Sequence, residues 1–432
     1  MRTRPVPDSP YHVTRLPSGL AVVLRPMAHA SSVAIGVWVR VGGRYEPLAQ
    51  TGVSHFIEHL LFKGTHRRSC ETLKQAIEGI GGSLNGFTAE EFTCYLAKIP
   101  AAYLRRGITI LSDMVLHSTL RPQDIERERE VILEEIRMSE DNPGQHVHEL
   151  FNQLLWPNHP LGMLLAGTEA TVRRLQRPQL VDYWRRFYQP RHMLIVCAGQ
   201  LSPDRTVRLV RRCFAGSSRR SAARMSRAPR PRPGPHVQVM HKATEQTHFC
   251  LGVPAMPRTH PQRFAVELLH VLLGANMSSR LFREVRERRG LVYEIGTQVR
   301  RYHDTGAFII YAGCDVGKLD STLRTVTKEL SRITRELVPA RELARAKEFY
   351  RGQLVMSLEE TMDHMLWMGE QVVTVGRLSK PQDVTAALAR VTAQQIRDAA
   401  RRLFLTPRMY LAAIGPVPQS QAAELQAACR LP

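Results

Sequence analysis

The feature that most constrains the fold is a repeated order of strand-like and helix-like segments on either side of one linker. Residues 215–235 are rich in Pro, Gly, Ser and Arg and hold almost no bulky apolar side chains, which is typical of a flexible or extended connection. At 432 residues, the chain is longer than a single hydrophobic core usually supports. We therefore predict an N-terminal module at 1–214 and a C-terminal module at 236–432.

Each half has a β-rich run and a helix, then two Gly-punctuated strands, two long amphipathic helices and a late strand. This order predicts a duplicated α+β module with an antiparallel-rich sheet and helices packed on one face. In the first half the predicted strands are 33–41, 83–87, 92–99 and 193–198, and the long helices are 101–118 and 122–140. In the second half the strands are 248–253, 293–300, 306–313 and 409–413, and the helices are Arg263–Leu273, 318–335 and 339–357.

The composition excludes some classes of protein and leaves others open. Seven cysteines without a C-x-x-C pair predict reduced thiols instead of a disulfide framework. No apolar run of about 18 residues occurs, so we expect no membrane span. The first ten residues have no apolar stretch typical of a signal peptide, and the expected location is the cytoplasm.

The chain is strongly basic, with a net charge of +21. Such a charge could attract nucleic acid, acidic peptides or anionic membranes. However, the basic residues are spread along the whole chain, and no aromatic residues are interleaved with the arginines of the linker. We therefore interpret the positive charge as a bias in amino-acid composition and expect no nucleic-acid or membrane partner. A functional basic surface is the alternative.

A short motif at 55–59, His-Phe-Ile-Glu-His, predicts metal chemistry. Residues three and four apart share one face of a helix, so His55 and His59 can reach one metal ion with Glu58 beside it to handle protons. This is H-x-x-E-H, the reverse of the commoner zinc-protease motif H-E-x-x-H. Catalytic zinc usually takes three protein ligands and a water, so a third ligand must come from elsewhere in the chain.

The acidic segment 121–140 offers candidates for the third ligand. It predicts a helix with an apolar stripe, and Glu128 and Glu135 are seven residues apart, so both face the same side. From the spacing alone, each of these glutamates could bind a metal or simply be solvated.

The stretch 52–65, Gly-Val-Ser-His-Phe-Ile-Glu-His-Leu-Leu-Phe-Lys-Gly-Thr, resembles the signature of the M16 (pitrilysin-type) metallopeptidases. The closer likeness is to the M16B group, which includes mitochondrial processing peptidase β and its bacterial relatives. In this family a Glu on a later helix is the third zinc ligand, and the resemblance implies that it is Glu135. The family also carries a supporting Glu seven residues before this ligand. The resemblance implies that it is Glu128 and that it orients a ligand such as His59.

Residues 81–95 resemble the family's segment GG-x-x-N-A-x-T…E-x-T-x-Y. In relatives a strand edge here pairs with an extended substrate, which implies substrate binding near residues 93–99 with Asn85 holding the substrate backbone. Gly86 stands where the family usually has Ala. Phe62 falls where relatives line the pocket for the residue after the cut.

In the second half, residues 280–293 resemble the family's segment S-R-L-x-x-x-x-R-E-x-x-G-L-x-Y. The resemblance implies that Arg286 and Tyr293 close over the substrate, with Tyr293 donating to the oxyanion and Arg286 binding a substrate carbonyl. The resemblance also implies that Glu149 is an acidic substrate-binding residue. Gln145 stands where mitochondrial processing peptidases carry an acidic residue that reads a substrate arginine, and Glu149 retains the second acidic position. We therefore expect no strict preference for arginine in the substrate.

Taken together, the resemblance implies a zinc-dependent endopeptidase with a LuxS/metallopeptidase-like fold and one zinc ion per chain. Its substrates would be peptides or unfolded segments, bound as an added β-strand inside the chamber of a homodimer or of a heterodimer with a related M16 chain. A non-catalytic or partner-dependent subunit of a heterodimer or larger complex is the alternative. His146 and His148 are interpreted as exposed helix residues and not as a second metal site.

Overall fold

The computed structural model of the protein describes residues 4–5, 10–215 and 224–432. The predicted linker at 215–235 therefore lies partly outside the described residues. The chain divides into two compact units. The first unit combines residues up to 136 with 164–226 and 356–380, and the second combines 137–163, 227–355 and 381–432.

Each of the eight predicted strands is found among the described residues, together with four further strands. Their bounds are β1 Arg4–Pro5, β2 His12–Arg15, β3 Ala21–Pro26, β4 Ser32–Val39, β5 Ser83–Thr88, β6 Thr93–Pro100, β7 Met193–Gly199, β8 His236–His241, β9 Thr247–Ala255, β10 Val292–Arg301, β11 Gly306–Cys314 and β12 Tyr410–Gly415. The four strands that the sequence analysis does not predict are β1, β2, β3 and β8.

The described helices include the predicted long pairs and several shorter ones. Their bounds are α1 Val53–Leu61, α2 Cys70–Glu78, α3 Leu104–His117, α4 Pro122–Asp141, α5 Pro143–Leu155, α6 Glu169–Arg174, α7 Arg177–Phe187, α8 Pro203–Cys213, α9 Arg263–Leu273, α10 Leu319–Arg335, α11 Ala340–Met356, α12 Thr361–Val375, α13 Pro381–Ala389, α14 Ala393–Leu403 and α15 Ala422–Ala428. Among the described residues, no helix is both long enough and apolar enough to cross a bilayer.

The sheet of the first unit has the strand order β1-β2-β3-β7-β4-β6-β5. Strands β3 and β7 are parallel, and the other neighbours are antiparallel. Alternate residues of a strand point to opposite faces, so β4 contributes to two cores. Val33, Ile35 and Val37 belong to the core that includes helices α1, α3 and α4, whereas Ala34 and Trp38 belong to a second core on the opposite face.

Helix α12 covers that opposite face, although it lies far along the chain in the second half. Its buried residues Met365 and Met368 pack in the same cluster as Trp38. A Cβ atom on Gly369 would lie 2.0 Å from Cε2 of Trp38, so only glycine lets the helix approach the indole this closely.

The sheet of the second unit has the order β10-β11-β9-β12-β8, with β12 and β8 parallel. One face packs on helices that include α9, α10 and α14. Helix α5 covers the other face, where Val147, Leu150 and Phe151 pack in one cluster with Cys250 and Tyr410. Each sheet therefore carries helices on one face and one additional helix on the other.

The prediction of two α+β modules is confirmed. The expected bounds, 1–214 and 236–432, differ from the two compact units in one pair of segments. Helix α5 comes from the first half of the sequence but belongs to the second unit, and α12 comes from the second half but belongs to the first unit. Each helix belongs to the unit whose residues it packs against. The position of the helix in the sequence does not reveal which unit that is.

Candidate metal centre

Helix α1 carries the H-x-x-E-H motif on one side and packs into the core with the other. It begins after Gly52, whose φ of +96° lies in the left-handed region that favours glycine. A Cβ atom there would also lie 2.6 Å from the Ala166 carbonyl oxygen. The backbone conformation of Gly52 and its close packing fix the point at which the helix carrying the motif begins. The buried apolar residues of α1 are Val53, Phe56, Ile57, Leu60 and Leu61.

The start of α1 is capped by a side chain outside the helix. The first amides of a helix need acceptors, and Gly52 has no side chain to supply one. The buried carboxylate of Glu46 accepts from the Gly52 amide at 2.7 Å and from the Ser54 amide at 2.8 Å. Burial raises the pKa of Glu46 to about 7, although these hydrogen bonds oppose the shift.

Three side chains come together where the sequence predicts a metal. His55, His59 and Glu135 offer ligand atoms that all lie within 4.8 Å of one another. Glu135 Oε2 lies 3.8 Å from His55 Nε2 and 3.6 Å from His59 Nε2. A tetrahedral zinc ion with bonds of about 2.0–2.1 Å separates neighbouring ligand atoms by about 3.3 Å. The three residues therefore fit zinc with little movement.

The surroundings shift the pKa values of the two histidines in opposite directions. Burial, with a smaller contribution from His59, lowers the pKa of His55 to about 4, so its imidazole is neutral at neutral pH and can bind a metal without losing a proton. Burial also lowers the pKa of His59. The hydrogen bond to Glu128 and the charges of Glu135 and Glu58 outweigh this effect, and the pKa of His59 is raised overall.

Glu128 contacts the ring nitrogen of His59 that faces away from Glu135. Its Oε2 lies 3.2 Å from His59 Nδ1, and its Oε1 lies 2.6 Å from Lys63 Nζ. Burial raises the pKa of Glu128, but the hydrogen bonds from His59 and Lys63 outweigh burial, so the pKa is lowered. An ionised carboxylate in this place orients the His59 ring and leaves Nε2 directed toward Glu135.

Glu58 lies beside the three ligand candidates and is buried, with 8% of its surface exposed. Thr88 Oγ1 donates to Glu58 Oε2 at 2.7 Å. Burial raises the pKa of Glu58, and the Thr88 hydrogen bond and the charge of His59 oppose this shift. A carboxyl group with a raised pKa in reach of the substrate is suited to take up and return a proton.

Among the described strands, β5 lies at one edge of the sheet in the first unit and β1 at the other, and the expected edge at 93–99 is wrong. Strand β6 pairs with β4 on one side and with β5 on the other, so its backbone groups are taken. Asn85 lies on β5, is exposed, and its Oδ1 accepts from the Gly86 amide at 2.8 Å. Phe62 is half-buried, and its ring centre lies 6.1 Å from that of Tyr95.

Arg286 and Tyr293 contact each other in the second unit. A π-helix at Phe282–Glu287 carries Arg286. The guanidinium carbon of Arg286 lies 5.2 Å from the centre of the Tyr293 ring and 4.7 Å from that of Phe282. Tyr293 is 75% exposed. Their expected contact with the substrate stays a prediction.

Glu149 also belongs to the second unit, and its carboxylate is already paired. Glu149 Oε1 accepts from Ser139 Oγ at 2.8 Å, and Oε2 lies 2.7 Å from His146 Nδ1. The interpretation of His146 and His148 as exposed is wrong. His146 is buried, and His148 is half-buried with Nδ1 3.4 Å from Cys250 Sγ. His148 therefore packs between α5 and strand β9, whereas His146 pairs with Glu149 on the same helix.

Two family models match the chain. Residues 21–169 match the model described as insulinase (peptidase family M16), and residues 174–350 match the one described as the peptidase M16 inactive domain. An uncharacterized zinc protease of Streptomyces coelicolor is 36% identical over 418 residues, which cover 95% of this chain and 91% of the relative. The uncharacterized zinc protease YmxG of Bacillus subtilis is 33% identical over 401 residues, covering 92% and 97%. The chain belongs to peptidase family M16.

Solved structures show the same fold at lower identity. The crystal structure of a protease from Helicobacter pylori has a TM-score of 0.89 at 20% identity and covers 94% of this chain and 99% of its own. A peptidase M16 inactive domain from Pseudomonas fluorescens has a TM-score of 0.87 at 18% identity, covering 94% and 98%. These similarities support the two-module M16 fold.

In this M16 chain, three side chains near the metal centre escaped the sequence reasoning. Glu46 caps α1, Lys63 binds Glu128, and Thr88 holds Glu58. Lys63 follows His59 by four residues, a spacing that could have suggested a shared face. Thr88 is the Thr of the family segment matched at 81–95, although the resemblance gave it no role. Glu46 carries no comparable signal, because it reaches α1 from another element.

Proposed function

We propose that this M16 chain is a zinc-dependent endopeptidase. The observation that carries the proposal is the grouping of His55, His59 and Glu135 with the buried carboxyl group of Glu58 beside them. Three protein ligands leave one position of a four-coordinate zinc open, as in catalytic sites, whereas structural zinc sites use four. Naming of relatives as zinc proteases supports the same metal.

The residues of the chain have distinct roles in the proposed hydrolysis of a peptide bond. Bound zinc supplies Lewis acidity, which makes a water acidic near neutral pH and polarises a carbonyl. Glu58 takes a proton from the attacking water and returns it to the nitrogen of the leaving amine. Thr88 holds Oε2 of Glu58, which leaves Oε1 for proton transfer. Glu128 and Lys63 orient His59.

The proposed substrate is a peptide or an unfolded segment that adds to strand β5. An open strand edge binds extended peptides through main-chain hydrogen bonds, and β5 carries Asn85 and lies against Glu58 through Thr88. Folded proteins have few extended segments to offer, so they should be poor substrates. The parts proposed for Arg286 and Tyr293, which lie in the second unit, rest on the family resemblance.

The finer assignments are also proposals. Membership of the M16B group, a processing-peptidase-like activity and assembly into a homodimer or a heterodimer rest on the motifs at 52–65, 81–95 and 280–293. A location in the cytoplasm rests on the composition of the chain.

The test is to purify the full chain, measure its zinc content and assay cleavage of a quenched peptide library. We expect about one zinc per chain and cleavage that is lost on Glu58→Gln, which keeps the shape of the side chain but cannot take a proton. Glu78→Gln is the matched control, because Glu78 is exposed on α2 and should leave the rate unchanged.

The other outcomes separate the alternatives. Zinc binding without cleavage by the wild type would favour a subunit that needs a partner. Absence of zinc, or equal activity in Glu58→Gln and the wild type, would contradict the proposed enzyme.

A further inference from the structure

Helices α3 and α8 lie side by side in the first unit, where Thr109 Oγ1 of α3 is 3.9 Å from Cys213 Sγ of α8. Both helices line two cavities, one of about 370 Å³ and one of about 470 Å³. The cavities adjoin, because they share three lining residues, and together we call them the α3–α8 groove. The arginines that line this groove are Arg67, Arg68, Arg105, Arg205, Arg208 and Arg212.

One carboxylate, Asp113, is found among the described residues that line the groove. It is buried, and its hydrogen-bonding capacity is already used inside the protein. Oδ2 accepts from Thr65 Oγ1 at 2.8 Å and from the Arg68 guanidinium, and Oδ1 lies 3.2 Å from His117 Nδ1. Asp113 therefore fixes the position of Arg68 and leaves the charge of the other arginines unbalanced.

The other arginines of the groove present their charge without an acidic neighbour. Within the described part of the chain, no carboxylate forms an ion pair with Arg67, Arg105 or Arg212. On α8, Arg205 and Arg208 lie on the same helical face as Arg212, because the three are spaced by three and four residues. Like charges held close together repel each other, so an anion bound among them would be strongly favoured.

The second unit has a cavity between the corresponding helices, and there the arginines are paired. Helices α10 and α15 follow β11 and β12 as α3 and α8 follow β6 and β7, and residues of both line a cavity of about 480 Å³. Arg324 Nε lies 2.8 Å from Asp320 Oδ2, and Arg332 Nε lies 2.8 Å from Glu336 Oε2. In the α3–α8 groove the matching negative charge must come from outside the chain.

We propose that the α3–α8 groove binds a phosphomonoester, with the phosphate group in the cavity beside Arg67 and Arg68 and the organic part in the adjoining cavity. A phosphate monoester carries a charge near −2 at neutral pH, and the planar guanidinium group matches its oxygens with two parallel hydrogen bonds. The second cavity has apolar walls from Leu104, Leu201 and Leu209. Both volumes suit a small molecule.

This inference goes beyond the proposed endopeptidase function and does not depend on it. No residue that lines the groove belongs to the candidate metal centre. Binding can therefore be measured without any assay of cleavage, and loss of one function leaves the other to be judged by itself.

The test is isothermal titration calorimetry of the full chain at fixed ionic strength, with phenyl phosphate and inorganic phosphate as probes. We expect one phenyl phosphate per chain, bound about tenfold more tightly than inorganic phosphate because its ring leaves water. Arg105→Gln and Arg212→Gln should each weaken this binding about tenfold, as expected for one lost charge-assisted hydrogen bond. Arg185→Gln is the matched control, since Arg185 is exposed on α7 and lines neither cavity.

Arg105 and Arg212 are exposed, so both variants should fold, and unchanged circular dichroism spectra would verify this. Absence of phenyl phosphate binding to the wild type would overturn the inference. Equal weakening in Arg185→Gln and in the two groove variants would overturn it as well, because the overall charge would then be the cause.

A second arm separates the two possible sources of the phosphate group. Vesicles of phosphatidylcholine with phosphatidic acid present the same phosphomonoester as a lipid headgroup. Phenyl phosphate binding without cosedimentation of these vesicles would support a free small molecule, and binding of both that is lost in Arg105→Gln would support a headgroup. Binding of the vesicles or of an RNA oligonucleotide without binding of phenyl phosphate would contradict the proposed site.

Discussion

At the scale of single residues, the candidate metal centre depends on side chains that the H-x-x-E-H motif does not contain. Glu128 contacts His59, and Lys63 contacts Glu128. Lys63 neutralises a carboxylate that is almost fully buried, since 8% of the Glu128 side chain is exposed. This chain of contacts links a lysine to a proposed zinc ligand without touching the metal itself.

We therefore expect a graded loss of zinc affinity along this chain of contacts. Glu128→Gln should weaken zinc binding by about 10–100-fold, as is usual for a residue that holds a ligating histidine. Lys63→Met should weaken it by less, about tenfold or below, because it acts through Glu128. Competition with a chromogenic chelator measures both affinities. Lys74→Met, at an exposed position on α2, is the control, and an effect of Lys63→Met no larger than the control would contradict the role of Lys63.

At the scale of elements, each sheet has several helices on one face and a single helix from the other half of the sequence on the opposite face. Two glycines permit the close contact of α12 with its sheet. Gly369 faces the Trp38 indole, and a Cβ atom on Gly36 would lie 2.4 Å from Met365 Sδ. Close packing of this kind tolerates no added volume.

Gly369→Ala should consequently destabilise the protein, by about 3 kcal/mol in the free energy of unfolding, because the methyl group overlaps the indole ring. Gly352→Ala on α11 is the control. It should be neutral or stabilise the protein by about 0.5–1 kcal/mol, since alanine favours helix and meets no neighbour there. Urea denaturation followed by circular dichroism measures both. Equal midpoints for the two variants would mean that α12 is not packed against Trp38 in solution.

At the scale of the whole molecule, buried histidines make stability depend on pH. Burial lowers the pKa of His148, His270 and His364 to about 4 in each case. In the unfolded chain these groups take up protons near pH 6.5. The unfolded state therefore binds more protons between these values, and stability falls as the pH falls from about 6.5 to about 4.

Glu46 acts in the opposite direction, because its pKa of about 7 in the folded protein lies above the usual glutamate pKa of 4.5. The contribution of Glu46 to the stability of the folded protein is lost as the pH rises from 4.5 to about 7. The pKa of His55 is also lowered to about 4. Because these four histidines outnumber Glu46, we expect the urea midpoint of the metal-free protein to be lower at pH 5 than at pH 7.5. His364→Phe should reduce this difference, and an unchanged or inverted difference in the variant would show that His364 is not buried in its neutral form.

The sequence by itself predicts many of the helices and strands and part of the candidate metal centre, because the signals for them lie within short segments of the chain. Helix Arg263–Leu273 and the strands near 83–88 and 306–314 follow from hydrophobic periods and turn residues that lie within each segment. The same holds for His55, Glu58 and His59, which one helical turn brings together. Glu135 is different, because its spacing alone left it among several solvated glutamates and only the resemblance singled it out.

Tertiary structure decides which elements meet, because packing partners are distant in sequence. It places α5 and α12 on sheets of the opposite halves, makes β5 instead of β6 an edge strand, and buries His146 beside Glu149. It also brings Lys63 to Glu128 and Thr88 to Glu58. Periodicity reports only which face of an element is apolar, whereas these contacts depend on how separate faces come together across the core.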